Sequence, residues 1–384
     1  MSGGDVTAVV IDNGTDTCKV GFAGDQKPRC LMPAVVGRNE HHGHGLALGP
    51  TKDFYVGFEA LSRRAVVNLS HPVQRGLVTS WEDMHTVWEH AYTDELCVES
   101  KDHPVLISET PGTPRENRDK MAEVLYETLH VPALCVASPA VMCMYSSGQT
   151  TGTVLDIGAG LTRAVAVHEG RPVSGALVSQ DMAGSDITRF LYRLVTEKEV
   201  NASIQTDHAH MELIKEQLGY VALDFNKEFK KMTKGHRKAP AEEAVNTTYE
   251  LPDGQIIKIA SERFRCAEAL FQPKLIDRPN LLGLHKMVHT VIGQCDSDIR
   301  KSLWSHVVLS GGSSMFEGLS ARLEQELAKL KPIGSKVKLS VHEDRIASAW
   351  IGGSVFASMS TFSDHLVTKE QYQEAGPAVL YKDL

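Results

Sequence analysis

Two stretches of this 384-residue chain carry the same pattern, and that repetition constrains its fold more than any other feature. The first is Val9-Val10-Ile11-Asp12-Asn13-Gly14-Thr15-Asp16-Thr17-Cys18-Lys19. The second is Gly152-Thr153-Val154-Leu155-Asp156-Ile157-Gly158-Ala159-Gly160-Leu161-Thr162-Arg163. In each, a short apolar run reaches an Asp, a Gly-containing turn follows, and a basic residue leads into another apolar run. β-Branched runs bounded by turn residues read as strands, so each copy predicts a strand, a tight turn and a second strand, Val20 to Ala23 in the first. Asn13-Gly14 is a strong hairpin signal because both residues tolerate positive φ. Two copies a domain-length apart predict two similar lobes with one hairpin each. Such a turn directs backbone N–H groups at an anion. Lys19 adds a positive charge, and Asp12 and Asp156 suit a hydrated divalent cation. Taken alone, the first copy is better explained by an ordinary hairpin with a solvated Asp. Two in register favour a polyphosphate clamp, with both carboxylates directed at its metal.

The length calls for two domains or lobes rather than one core. Hydrophobic content of 42% and charged content of 23% are those of a soluble globular protein. A net charge of -8 and the lack of a basic stripe argue against direct nucleic-acid binding. No apolar run reaches membrane-spanning length, which argues against a membrane protein, and Met1-Ser2-Gly3-Gly4-Asp5-Val6 does not read as a signal peptide. Seven Cys without a C-x-x-C pair suit reduced thiols in a cytosolic protein and offer no zinc motif.

Along the chain, the region from Gly24 to about Pro50 lacks periodicity, and His41-His42-Gly43-His44-Gly45 reads as an exposed loop rather than a metal site. Ser80 caps a predicted helix through Trp81, Met84, Val87 and Trp88, whose aromatic residues read as core. Pro104-Val105-Leu106-Ile107 reads as a buried strand. Thr113-Pro114-Arg115-Glu116 reads as a capping box, with Met121, Val124, Leu125 and Leu129 on one helical face. Ala133 to Ala137 reads as a further strand, and Ser138-Pro139 as the start of a helix. This strand–helix–strand rhythm indicates an α/β architecture. A third Gly turn, Leu309-Ser310-Gly311-Gly312-Ser313-Ser314-Met315, would let a flat base or sugar approach the backbone; a plain strand-to-helix connector is the alternative. Between these lie Met182 to Asp186, an amphipathic segment ending at Ile214 to Leu218, and the turn Leu251-Pro252-Asp253-Gly254-Gln255. The basic run with Lys230, Lys231, Lys234, Arg237 and Lys238 reads as a solvated surface.

Over nearly its whole length the chain resembles the actin family. The matching pieces include Asp12-Asn13-Gly14 with Cys18-Lys19, Gly21 to Asp25, Tyr220 to Phe225, Leu251 to Gln255 and Glu262 to Cys266. They continue with Leu270 to Pro273, Ser310-Gly311-Gly312, Trp350 to Ser354 and Glu374 to Pro377. The phosphate turns alone would also fit Hsp70-type chaperones and sugar kinases. The resemblance implies an α/β actin-like ATPase fold, two lobes with duplicated five-stranded sheet cores around a nucleotide cleft. It divides into subdomain 1 (1–34, 72–140 and 348–384), subdomain 2 (35–71), subdomain 3 (141–184 and 273–347) and subdomain 4 (185–272). It also implies ATP or ADP with Mg2+ or Ca2+. By position, Gly14, Thr15, Asp16 and Lys19 are expected at the β- and γ-phosphates, with Gly158, Ala159 and Gly160 on the other side. Asp12 and Asp156 would hold the metal's waters, Asp156 being also the one catalytic candidate. Gly184, Lys215 and Glu216 would face the ribose, and Gly312, Met315 and Phe316 the adenine.

The chain also departs from the family pattern. Ile346 stands where a Lys usually covers the base. Pro139 replaces the Gln that orients the attacking water, and Ala159 and Arg163 replace the Asp and His that complete the water network. Gln149, the only nearby glutamine, is poorly placed to substitute. Positioned water drives this kind of hydrolysis, and loss of a proton-relay partner costs about 10²- to 10⁴-fold. The expectation is an ATP binder with slow or absent hydrolysis. The loop from Gly37 to Lys52, which in the family enters the next subunit, is His- and Gly-rich. The Lys274 to Leu284 loop carries Asp277-Arg278-Pro279 in place of an apolar plug, with Leu281 and Leu282 able to restore part of it. Arg75 replaces a commonly methylated His, the acidic start is reduced to Asp5, and Lys382-Asp383-Leu384 replaces the usual ending.

The expected role is therefore a cytoskeletal subunit with ATP as a structural ligand. It either assembles with itself or other actins, or is built into a larger complex such as a dynein arm or a chromatin remodeller. Actin-binding proteins are implied as partners, with weak myosin binding. The implied location is the cytoplasmic cytoskeleton, axoneme or nucleus. A conventional polymerising actin with normal ATPase is the alternative. A small-molecule kinase lacks a candidate base and a substrate domain, and a chaperone lacks a peptide-binding domain.

Overall fold

A computed structural model describes residues 6–39, 52–198, 208–235, 247–251 and 254–381. Several sequence features lie outside these residues: Asp5, His41-His42-Gly43-His44-Gly45 with most of its loop, Arg237, Lys238, Pro252-Asp253 and Lys382-Asp383-Leu384. The chain divides into two compact units, Met1–Thr150 with Ala347–Leu384, and Thr151–Ile346.

The first unit is built on a six-stranded sheet. At its centre Val9–Asn13 pairs in parallel with Val105–Ser108, which pairs in parallel with Ala133–Ala137. On the other side Val9–Asn13 pairs antiparallel with Thr17–Phe22, and that strand with Cys30–Pro33. Val367–Thr368 adds an antiparallel edge beside Ala133–Ala137. Parallel strands covered on both faces need near-continuous apolar side chains; Val9, Ile11, Val105 and Ile107 are fully buried.

The second unit repeats this plan in five strands. Gly152–Ile157 is parallel to Val307–Ser310, which is parallel to Leu339–Val341, and antiparallel to Thr162–His168, which pairs with Arg171–Gln180. The expected duplication of sheet cores is present, with Val367–Thr368 as the strand that distinguishes the first copy.

Helices cover the sheets where periodicity placed them. Ser80 caps Trp81–His90 by accepting from the Asp83 amide at 3.4 Å, and Met84, Val87 and Trp88 are buried. Trp88 donates its indole N–H to Asn13 Oδ1 at 3.2 Å, which ties this helix to the first hairpin. Met121, Val124, Leu125 and Leu129 face the core as predicted. The helix Pro139–Ser146 starts with Pro at its first position, where a missing N–H costs nothing. It packs against Ser348–Ala357 through glycine: a Cβ on Gly352 would overlap the Met142 carbonyl oxygen. In the second unit, Arg322 donates two parallel bonds of 3.1 Å to the buried Glu268 carboxylate and one of 2.8 Å to the Ala222 carbonyl.

Three readings are corrected. Thr113 forms no capping box, because its hydroxyl donates to the Thr110 carbonyl at 2.7 Å and the helix Arg115–Glu123 begins after Pro114 without a side-chain cap. Leu281 and Leu282 do not form a projecting plug. They pack against the second unit's own core, and Gln180 clamps Leu282 through both its N–H and its carbonyl. Asp277 is likewise tied to Arg193 at 2.9 Å, and Arg278 to Asp186 at 3.1 Å. The third correction concerns the hairpin turns. Among the described residues no helix is long and apolar enough to cross a membrane.

Candidate functional site: two matched hairpins

The first turn does not use Asn13-Gly14 as its reversing pair. Asn13 pairs with Cys18 inside the ladder, neither Asn13 nor Gly14 has positive φ, and the chain reverses through Thr15-Asp16. Gly14 is needed for another reason. Its N–H donates to the Thr17 carbonyl at 2.9 Å, and a Cβ there would sit 2.8 Å from that oxygen. Register sets Asp12 opposite Lys19, with the ammonium 3.2 Å from the Asp12 carboxylate. Ser108, at the end of the adjoining parallel strand, donates to Asp12 at 2.6 Å. A carboxylate this buried is tolerable only with such partners.

The turn is held from behind. Gly76 N–H donates to Thr15 Oγ1 at 3.0 Å, and Ala34 N–H to the Asp16 carbonyl at 2.8 Å. Gly76 belongs to a two-residue turn in which Arg75 and Gly76 have φ of 48° and 73°, the conformation that joins Val73–Gln74 to Leu77–Val78.

The second turn has the same closure: Gly158 N–H donates to the Leu161 carbonyl at 2.9 Å. Asp156 stands opposite Arg163, as Asp12 stands opposite Lys19, and Ser310 lies beside Asp156 in register. The carbonyls of this turn are engaged from its own unit. Gly158 accepts from Gly184 N–H at 3.0 Å and Ser313 Oγ at 2.8 Å, and Ala159 accepts from Ser185 N–H at 2.9 Å. A trans peptide is planar, so the N–H of the next residue points opposite to each carbonyl. The amides of Ala159 and Gly160 are thereby turned away from those contacts.

Gly311 has φ +89°, and a Cβ there would lie 2.7 Å from Asp156 Oδ1. Its glycine character therefore serves the approach of the neighbouring strand, which corrects the expectation that both glycines make room for a base or sugar. Gly312 is the more open position, with Ile346 as the neighbour of any added Cβ at 3.8 Å. Met315 and Ile346 are exposed, while Phe316 is buried and packs on Gly219. Lys215 is buried, with its ammonium 3.2 Å from Glu212 and 3.5 Å from the Gly184 carbonyl; Glu216, one residue on, is exposed.

Within the first unit, then, Asp12, Gly14, Thr15, Asp16 and Lys19 gather at one hairpin. Within the second, Asp156, Gly158, Ala159 and Gly160 form its counterpart, Gly184 and Lys215 adjoin it, and Ser313 links it to the segment of Gly312, Met315 and Phe316. Sequence reasoning missed Ser108 and Gly76, and named Ser310 and Ser313 only as part of the third Gly turn, without a role. A signal existed for two of them: Val105-Leu106-Ile107-Ser108 and Val307-Val308-Leu309-Ser310 are themselves a repeat.

Chemically, the hairpins offer amides, a Lys, an Arg and three carboxylates, the equipment for an anion and a cation together. Pro139 fills its helix start with a ring, and the Ser138 hydroxyl before it is buried with no hydrogen-bond partner among the described residues. Compared with known protein families, the chain matches the family described as Actin over residues 3–383.

Proposed function

The chain belongs to the actin family, and from that premise we propose that it is an ATP-binding actin-like cytoskeletal protein that turns its nucleotide over slowly or not at all. The observation that carries the reading is the matched pair of hairpins, each with an Asp opposite a basic residue and a Gly-closed turn. Gly14, Thr15, Asp16 and Lys19 in one unit and Gly158, Ala159 and Gly160 in the other would hold phosphates. The amides of Ala159 and Gly160, turned away from the contacts their neighbouring carbonyls make, fit that ligand. Asp12 and Asp156 would hold a divalent ion through water. Among the described residues no three Asp, Glu, His or Cys side chains gather as a metal cage. Mg2+ or Ca2+ would draw the rest of its shell from water and phosphate oxygens. The ion would supply charge neutralisation for the phosphates. Gly184, Lys215 and Glu216 are proposed for the ribose and Gly312, Met315 and Phe316 for the base, with the four-subdomain division as stated above.

Slow turnover follows from Pro139, Ala159 and Arg163, none of which accepts a proton to align water. Subunit life in a larger complex is favoured over a dynamic filament, because Leu281 and Leu282 are committed to their own core. Actin-binding proteins and a cytoplasmic, cytoskeletal setting belong to the same proposal, as does weak myosin binding. The test is equilibrium binding of ATP and ADP to purified protein, phosphate release over hours, and sedimentation with ATP. Nucleotide binding with little phosphate release and little pelleting is expected. Release and pelleting at the rates of a conventional actin would overturn the slow-turnover reading, and failure to bind either nucleotide would overturn the whole.

A further inference from the structure

We propose that the outer face of the helix Phe225–Gly235 is a docking surface for an acidic segment of a partner protein. The inference stands apart from the nucleotide-binding reading and uses none of its residues. The helix carries Lys227, Lys230, Lys231 and Lys234 against a single acid, Glu228, in a chain whose net charge is -8. Such a local reversal of sign draws in a negatively charged partner that the rest of the chain repels.

The fold decides which way that charge faces. Phe225, Phe229 and Met232 recur at helical spacing on one side. Phe225 stacks on Phe229 with ring centroids 5.9 Å apart and meets the fully buried Phe264 edge to face at 5.8 Å. Tyr220, tilted against the same Phe264 at 5.6 Å, donates its hydroxyl to Glu228 at 3.4 Å. The apolar stripe is thus turned toward its own unit. At about 100° per residue, Lys227, Lys230 and Lys231 fall on the opposite side, and all three are exposed.

Neighbouring acids hold these lysines only loosely. Lys227 reaches Asp224 and Lys231 reaches Glu228, each at 3.4 Å, but the two lysine side chains are 81% and 75% exposed. Ion pairs in that setting contribute little and exchange readily for another carboxylate.

Among acidic partners the observations favour protein. A helix that lies on a membrane needs its apolar side outward, and here that side packs on Phe264. Nucleic-acid recognition favours guanidinium forks on a broadly basic domain. This helix offers lysines only, on an acidic chain. A compact ammonium is a point charge that suits single carboxylates. Leu223, just before the helix, and Phe229, next to Lys230 in sequence, are 54% and 37% exposed. They would seat an apolar side chain carried among the partner's acids.

The experiment measures binding of labelled poly-L-glutamate to the full chain at low and at physiological ionic strength. A DNA duplex and vesicles of phosphatidylserine with phosphatidylcholine are measured beside it. One variant reverses the charges, Lys227→Glu with Lys230→Glu and Lys231→Glu, and a second neutralises them, Lys227→Gln with Lys230→Gln and Lys231→Gln. A control, Lys101→Glu with Lys274→Glu and Lys301→Glu, makes the same change in net charge at exposed lysines elsewhere. The parent should bind polyglutamate, more weakly as salt rises. The reversed variant should bind at least about tenfold more weakly and the control by less than about threefold, with the neutral variant between. No binding by the parent at low ionic strength overturns the proposal. So does an equal loss in the control, which would mean that net charge alone governs. Tighter binding of the duplex or the vesicles, lost with the same three lysines, overturns it in favour of that other partner. Thermal melting is the folding control. Should the reversed variant melt much earlier, the neutral one decides, and polyglutamate binding equal to the parent's overturns the proposal.

Discussion

Gly352 and the Met142 carbonyl are in such close contact that no side chain fits between them, and on this contact the helices Ser348–Ala357 and Pro139–Ser146 meet. Because the obstacle is backbone, it cannot swing aside. Gly352→Ala should therefore destabilise the first unit by about 1–3 kcal/mol, the usual cost of overpacking, and more if the helix is pushed off the sheet. Denaturant unfolding of the variant against the parent measures it; an unchanged midpoint contradicts the contact.

Restoring polar groups tests the slow-turnover reading. Pro139→Gln combined with Arg163→His introduces an amide and an imidazole at the positions where the proposed reading expects water-aligning groups. Phosphate release should rise by about 10²-fold or more, the range for a regained proton-relay partner. An unchanged single-turnover rate with nucleotide bound would mean that other residues set the barrier.

Asp83 predicts an acid limit for the first unit. Burial pushes its carboxyl up, but hydrogen bonds from Ser70, Arg38 and Ser80 outweigh that, so the net shift is downward. A lowered folded-state value means that the stabilisation is fully present above the unfolded value of about 4. It is lost as pH falls through the lower folded one. Asp83→Asn should cost about 1–3 kcal/mol at neutral pH, and the gap between variant and parent should shrink in thermal melts taken progressively below pH 4.

The second unit depends on Glu268, which is fully buried and doubly bonded to Arg322. Glu268→Ala removes two of the guanidinium's bonds and leaves it with Glu326 at 2.9 Å and the Ala222 carbonyl, at a cost of about 3 kcal/mol, the low end for breaking a buried pair. Calorimetry of the variant should show a markedly lower unfolding temperature; a shift of a degree or less would count against the pair.

Of the seven cysteines only Cys97 is exposed. Burial pushes Cys30, Cys135 and Cys266 each to about 12, far from the thiolate form that reacts. A thiol reagent at pH 8 should label one cysteine per native chain rapidly, and none rapidly in Cys97→Ser.

The fold was legible where periodicity and repetition speak together. The two hairpins, the parallel strands behind them and the helix from Trp81 each bury a pattern visible in the residues. What stayed hidden was tertiary choice. Thr113 had two acceptable partners, and only the folded loop reveals that the Thr110 carbonyl took its hydroxyl. Leu281 and Leu282 are equally apolar in a core or on a protruding loop, and Gln180, far away in sequence, fixed the outcome. Asn13-Gly14 reads as a reversing pair, yet the ladder runs on to Asn13, whose side chain is held by Trp88 and Cys18. The serines beside Asp12 and Asp156 were given no role because a hydroxyl at a strand end carries no periodic signal until the two strands are compared with each other.

Each hairpin is braced by elements of its own unit, the first by Gly76 and Ala34, the second by Gly184, Ser185 and Ser313. Such self-contained bracing makes the two copies separately editable. A substitution in one turn is expected to leave the hydrogen bonds that brace the other unchanged. A second-unit hairpin grafted from a hydrolytic relative should fold in place with its own behaviour intact.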